Sequence, residues 1–149
     1  DCTGRTITAA QIAFPATQVP SVDPNTLDDY EESYTWSPTI DATTNITGTP
    51  TIANAYYTKI GNLVHVTGII TADITTSATA TEMRVTLPFA TKDFPDGNVG
   101  SAIIFGANPI IGVACDLYNG TASTLVVYFE GTGVVSGSQN IRFSLTYMV

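Results

Sequence analysis

Tyr56-Tyr57-Thr58-Lys59-Ile60-Gly61-Asn62-Leu63-Val64-His65-Val66-Thr67-Gly68-Ile69-Ile70-Thr71-Ala72-Asp73 decides how this chain folds. Two runs rich in β-branched and aromatic residues flank a Gly61-Asn62 pair. Both turn residues tolerate positive φ, so the stretch reads as a tight antiparallel hairpin. In the second run Val64, Val66, Gly68 and Ile70 fall on one face, and His65, Thr67, Ile69 and Thr71 on the other. That two-residue period belongs to a strand with one face turned to a core.

The same texture continues towards the C-terminus. Met83, Val85 and Leu87 alternate with Arg84 and Thr86 in a strand over 82–89, which Pro88 stops. Residues 99–105 and 110–118 form further strands. Asn119-Gly120 then turns the chain into a strand over 124–130. In the last strand, 140–149, Ile141, Phe143, Leu145 and Tyr147 share a face. Residues 74–81, 90–98 and 131–138 have loop composition.

Before the hairpin the pattern weakens. Residues 39–51 are Thr-rich and turn-prone, with short edge strands near Ile40 and Ile52. Pro15, Pro20 and Pro24 keep 14–25 extended and outside any regular element. The chain divides into an extended lead-in, 1–26, and a β domain, 27–149. About eight strands with no convincing helix predict an all-β, antiparallel β-sandwich of jelly-roll kind.

Composition narrows the function. Of 149 residues only 12% are charged, against about 25% in an average domain, so Thr, Ser, Asn and Gly must cover the surface. The net charge of −8 and the five scattered Lys and Arg speak against nucleic acid as a partner. No apolar run reaches the length of a membrane-spanning helix, so membrane insertion is not expected. The absent initiator Met suggests a piece of a longer protein. Cys2 and Cys115 are too sparse for a disulfide scaffold, and Cys115 reads as a buried thiol.

Asp28, Asp29, Glu31 and Glu32 place four carboxylates within five residues. A calcium loop would alternate its oxygen ligands, and this spacing does not. The alternatives are a solvated turn that opens the domain, or acids facing Lys59 or Arg5 of a neighbouring copy. No cofactor or metal is assigned. Asp73, Glu82, Asp93, Asp96, Asp116 and Glu130 are spread too widely to define a glycosidase pair. His65, the single histidine, has no Gly-x-Ser-x-Gly turn to serve and reads as exposed or in a subunit contact. Trp36 either anchors the first strand in the core or, with Tyr34, stacks on sugars; the core is the preferred reading. Apolar residues also fall on second faces: Ile110, Ala114 and Tyr118 on one, Val126 and Tyr128 on another. A second copy of the chain is the expected cover.

Leu27-Asp28-Asp29-Tyr30-Glu31-Glu32 followed by Trp36-Ser37-Pro38 resembles a segment that recurs in tailed-bacteriophage tail fibres and receptor-binding proteins, where it typically reads Leu-Asp-Asp-Tyr-Glu-Glu-Gly-Thr-Trp-Thr-Pro. Phe14-Pro15-Ala16-Thr17-Gln18-Val19-Pro20-Ser21 resembles the lead-in to it. Tyr57-Thr58-Lys59-Ile60-Gly61-Asn62-Leu63-Val64 and Leu87-Pro88-Phe89 resemble segments that follow it. The matches run in order over roughly 12–89; beyond that only texture agrees. One departure is Ser33-Tyr34-Thr35 in place of Gly-Thr, one residue more.

The resemblance implies a trimeric head at the distal end of a virion tail fibre, joined to the rest of the fibre, which binds a receptor (a glycan or an outer-membrane protein) on the bacterial surface. It implies no enzymatic chemistry. Receptor contacts are expected on loops held by the rigid scaffold. The candidates are Asp93, Phe94 and Asp96 in the 90–98 loop, and Tyr118 and Asn119 at a hairpin tip. The alternative is a structural virion part, a decoration or fibre cap, that touches only other virion proteins. A trimer of −8 chains would also repel bare anionic glycans at long range unless divalent cations bridge the two.

Overall fold

The computed structural model describes residues 13, 30–76, 79–92, 99–105, 111–117, 124–129 and 136–149. Along β6 to β8 it mostly describes backbone alone. Among these residues there are nine strands and no helix: β1 (Tyr30–Thr35), β2 (Ile40–Thr44), β3 (Ile46–Ile60), β4 (Leu63–Ile74), β5 (Thr81–Thr86), β6 (Val99–Phe105), β7 (Ile111–Leu117), β8 (Thr124–Phe129) and β9 (Gly137–Met148). They form one hydrogen-bonded ladder in the order β1-β3-β4-β9-β6-β7-β8-β5-β2, antiparallel throughout.

The hairpin stands where its sequence places it. Gly61 turns with φ 54°, and Ile60 pairs Leu63, Thr58 pairs His65 and Tyr56 pairs Thr67. Val64, Val66 and Ile70 are fully buried, joined by Ala72 and Ile74. On β9 Ile141, Phe143, Leu145 and Tyr147 are buried in the same cluster. Met83, Val85 and Leu87 complete it.

Those three groups define the shape. β5 lies four places from β9 in the ladder, so in a flat sheet its residues would sit roughly 19 Å away. They nevertheless pack in one core, as do Ile40 of β2 and Ile46 and Ile52 of β3, from the two sides of the ladder. The ladder therefore curls over a single apolar interior. Its corner is Asn45, the one residue between β2 and β3, held at φ 59°. Asn tolerates this left-handed region better than most residues.

Three expectations need correction. Residues 39–51 are almost continuous strand: β2 is followed by the 15-residue β3. Gly48 (φ 73°), in the stretch that reads as turn-prone, and Asn54 (φ 52°) lie at register shifts within β3. A bulge absorbs a turn-former without ending the strand. Of the acidic segment, only Glu31 and Glu32 lie among the described residues, and they are in a strand rather than a turn. Glu31 and Glu32 belong to the edge strand β1, where charges suit a strand left open on one side. The residues between Glu31 and Tyr34 outnumber their partners by one, so a bulge at Glu32-Ser33 takes up a residue. Finally, the 74–81 loop is shorter than its composition suggests: Ile74 ends β4 in the core, and Thr81 opens β5 fully buried.

The lead-in 1–26 lies outside the described residues, apart from Ala13. The second-face residues Ile110 and Tyr118 also fall outside. For Ala114, Val126 and Tyr128 only the backbone is described.

Candidate functional site

Asp93, Phe94, Asp96, Tyr118 and Asn119 all lie outside the described residues, as do Asp28 and Asp29. The strands that flank those loops are placed: β6 begins at Val99, and β7 and β8 pair Leu117 with Leu125 across the tip expected at Asn119-Gly120. Among the described residues no three His, Cys, Asp or Glu side chains gather as metal ligands.

Strand faces supply the site that is described. On the solvent side of β3 and β4, the hairpin register sets Tyr56 opposite Thr67 and Thr58 opposite His65. Tyr56, Tyr57, Thr58, His65 and Thr67 line a shallow depression of about 370 Å³. A second depression of about 460 Å³ shares Tyr56 and Thr67 and extends over Asn54, Gly68, Ile69, Arg142 and Phe143. The two adjoin at Tyr56 and Thr67, and side by side they make a shallow trough on β3, β4 and β9.

Local backbone features shape this trough. The bulge between Ala53 and Tyr56, with Asn54 in the left-handed region, resets the alternation of β3 so that Tyr56 faces solvent, 43% exposed. Bulges commonly re-aim a side chain in this way. Gly68 sits opposite Phe143. A methyl group on Gly68 would lie 2.6 Å from Phe143 Cζ, so glycine leaves room for the ring. His65 Nδ1 shares a hydrogen bond of 2.9 Å with Thr146 Oγ1, which fixes the imidazole on the face.

Chemically the trough offers an aromatic platform, hydroxyls and amide, an imidazole and a guanidinium. Among the described residues, no lining side chain is a carboxylate. Among the described acids, Glu82 Oε1 accepts from Arg84 Nε at 2.6 Å, and Asp73 shares the exposed face of β4 with Thr67 and Ile69 but lies four residues beyond Ile69, at the far end of the strand.

A separate aromatic joint lies at the edge of the core. Tyr34 stacks on Tyr57 with ring centroids 5.8 Å apart. Tyr57 meets Phe89 edge-on at 5.2 Å. Lys59, buried, holds Nζ 5.6 Å from the Phe89 ring centre, and the Tyr147 hydroxyl donates to Phe89 O at 3.2 Å. Burial pushes the Tyr147 phenol well above its ordinary range, and the bond to Phe89 only partly offsets that. Trp36 packs against the core, as preferred from sequence, and its Nε1 is buried without a hydrogen-bond partner among the described residues. Register also places Glu31 opposite Lys59 of the same chain.

Comparisons with protein-family models, with curated proteins and with solved structures each return no match.

The trough was not singled out from sequence. Its residues are scattered over 54–69 and 142–143. Tyr56 and His65 could have been paired by counting back from the Gly61-Asn62 turn. The approach of Arg142 depends on β9 pairing with β4, for which the sequence carries no local signal.

Proposed function

We propose that this chain is the head of a bacteriophage tail fibre that binds a receptor on the bacterial surface without chemistry of its own. The observation that carries this reading is the joint just described. Of the four sequence segments that resemble tail-fibre proteins, 57–64, 87–89 and most of 27–38 lie among the described residues. Tyr57 and Lys59 from 57–64 and Phe89 from 87–89 pack against one another, while Tyr34, which stacks on Tyr57, stands where the 27–38 segment departs from the family pattern. Words that recur together in a family are explained if their residues build one structural unit. The trough, with its aromatic and hydroxyl-bearing lining, adds a surface of a kind that suits recognition.

In the same reading the curled ladder is a two-layered sandwich of jelly-roll kind, and three chains associate at the distal end of the fibre. Ile60, Leu63 and Met148 favour association: they lie directly opposite one another on β3, β4 and β9, each at least 40% exposed. An exposed cross-strand apolar row in a chain of this polarity suits a protein contact. It also favours the second reading, a structural virion part whose contacts are all with other virion proteins.

Adsorption competition separates the two. An excess of free head blocks infection by the parent phage if it occupies the receptor, and leaves infection unchanged if it serves only assembly. Light scattering tests the association: a 15.7 kDa chain gives about 47 kDa as a trimer.

A further inference from the structure

We infer that the Tyr56 end of the trough takes one ring of a neutral saccharide, its apolar face laid on Tyr56 and its hydroxyls on Thr58, His65 and Thr67. This rests on the receptor-binding reading and names its ligand class.

The hairpin register builds the patch. Tyr56 pairs Thr67 and Thr58 pairs His65, so four side chains of one strand face mark the corners of a rectangle. One inter-strand step and two residues of rise make it roughly 5 by 7 Å between backbone positions, about the footprint of one sugar ring. The depression that they line together with Tyr57, about 370 Å³, lies at the small end of the range for small-molecule sites. It is shallow, so the ligand lies on a face and is not enclosed.

Tyr56 is turned outward at a cost. Asn54 holds φ 52° in the bulge that resets β3. The side chain of Asn45, the other left-handed Asn, makes three hydrogen bonds at its own corner; that of Asn54 makes none among the described residues. Backbone strain without such a tie is of the kind that gathers at functional sites. What this bulge achieves is a tyrosine presented to solvent, 43% exposed. Exposed tyrosine offers a flat, rigid surface with little conformational entropy to lose, which suits the axial C–H face of a pyranose.

The other corners match sugar hydroxyls. The hydroxyls of Thr58 and Thr67 can both donate and accept. The bond between His65 Nδ1 and Thr146 Oγ1 fixes the imidazole and leaves Nε2, across the ring, for a ligand hydroxyl. Charge selects a neutral sugar. The chain carries −8, so an anionic glycan meets a long-range repulsion that a neutral one does not. Stacking and hydroxyl contacts also hold at high salt, where attraction between exposed charges is screened.

The test is saturation-transfer NMR of the full chain with the methyl glycosides of β-galactose, β-glucose and α-mannose, and with methyl β-glucuronide. Each is used at about 10 mM, the scale of a weak one-ring contact. At least one neutral glycoside receives saturation, strongest at its axial ring protons and equal at low and high salt; the glucuronide receives less. Tyr56→Ala keeps the thermal transition and weakens binding about tenfold or more, while Tyr56→Phe keeps the ring and most of the signal. His65→Ala weakens binding severalfold. No saturation of any neutral glycoside, a stronger signal from the glucuronide, or a signal unchanged by Tyr56→Ala overturns the proposal. So does a fall in molar mass by light scattering with Tyr56→Ala, which gives this face to a contact between copies. Adsorption competition reads the receptor-binding function independently: head that blocks infection yet fails the NMR test leaves that function standing and removes only this ligand.

Discussion

Asn45 Nδ2 donates to Thr81 Oγ1 at 2.9 Å, and this bond ties the corner between β2 and β3 to the first residue of β5. The same side chain donates to Thr76 O and accepts from Thr76 N, each at 2.9 Å, while its backbone carbonyl accepts from Thr75 N. One residue thus joins the end of β4, the start of β5 and the corner where the ladder curls over its core. Its positive φ and its side-chain bonds serve the same geometry.

Asn45→Gly keeps the backbone angle and loses the bonds; Asn45→Ala loses both. With about 1 kcal/mol for each of the three side-chain hydrogen bonds and 1–2 kcal/mol for a left-handed alanine, the expected losses are about 3 and about 4–5 kcal/mol. Urea denaturation reads the order. Equal stability of Asn45→Ala and the unsubstituted chain would show that the corner is held elsewhere.

Gly68→Ala drives a methyl group to 2.6 Å from Phe143 Cζ in a buried setting. Overpacking of this kind costs about 1–3 kcal/mol. Because the clash involves the tip of the ring, Phe143→Leu in the Gly68→Ala background restores part of what it removes. A double-mutant cycle in thermal or urea unfolding measures the coupling; additive losses contradict the contact.

Tyr147 sets an alkaline limit. Its folded pKa is raised, so it stays neutral in the core after the unfolded phenol begins to ionise near pH 10. The folded state then binds more protons than the unfolded state, so stability falls as pH rises above about 10 and is unaffected by this group below that. Tyr147→Phe loses about 1 kcal/mol at pH 7, where the bond to Phe89 O is lost, and shows a shallower decline above pH 10. Parallel pH profiles for the two proteins would remove Tyr147 from the account.

Much of this fold is legible in the chain because alternation and turn chemistry agree. The turn at Gly61-Asn62, the buried faces of β4 and β9, and the span of β6 follow from local residues. What misleads is punctuation inside strands. Gly48 and Pro50 fall in a stretch that reads as turn-prone, yet β3 runs through them and on through Asn54 because bulges accept positive φ while β4 pairs on either side. Acids at Glu31 and Glu32 read as solvated turn because charge marks exposure, and an edge strand is exposed too. The trough is harder still to see. Tyr56 and Thr67 meet through a short hairpin, but Arg142 reaches the same face only through pairing across more than seventy residues. Loop composition drew attention to Asp93, Phe94, Asp96, Tyr118 and Asn119, while the strand faces carry no comparable local mark.

The stacked pair Tyr34 and Tyr57 gives a smaller test of the aromatic joint at the edge of the core. Tyr34 is more than half exposed, so Tyr34→Ala costs only about 0.5–1 kcal/mol. Tyr57 and Phe89 are half-buried against the core, and Tyr57→Ala costs about 3 kcal/mol or more. The reverse order, read by urea denaturation, would place the weight of the joint at the edge strand.

The most direct test of the central claim is surface binding of fluorescently labelled head to a panel of bacterial strains, comparing the unsubstituted chain with Tyr56→Ala. The account predicts saturable staining of the strains that the parent phage infects, and its loss with Tyr56→Ala while thermal stability is kept. Absence of staining on a strain the phage infects would contradict receptor binding, and staining unchanged by Tyr56→Ala would contradict the trough as its site.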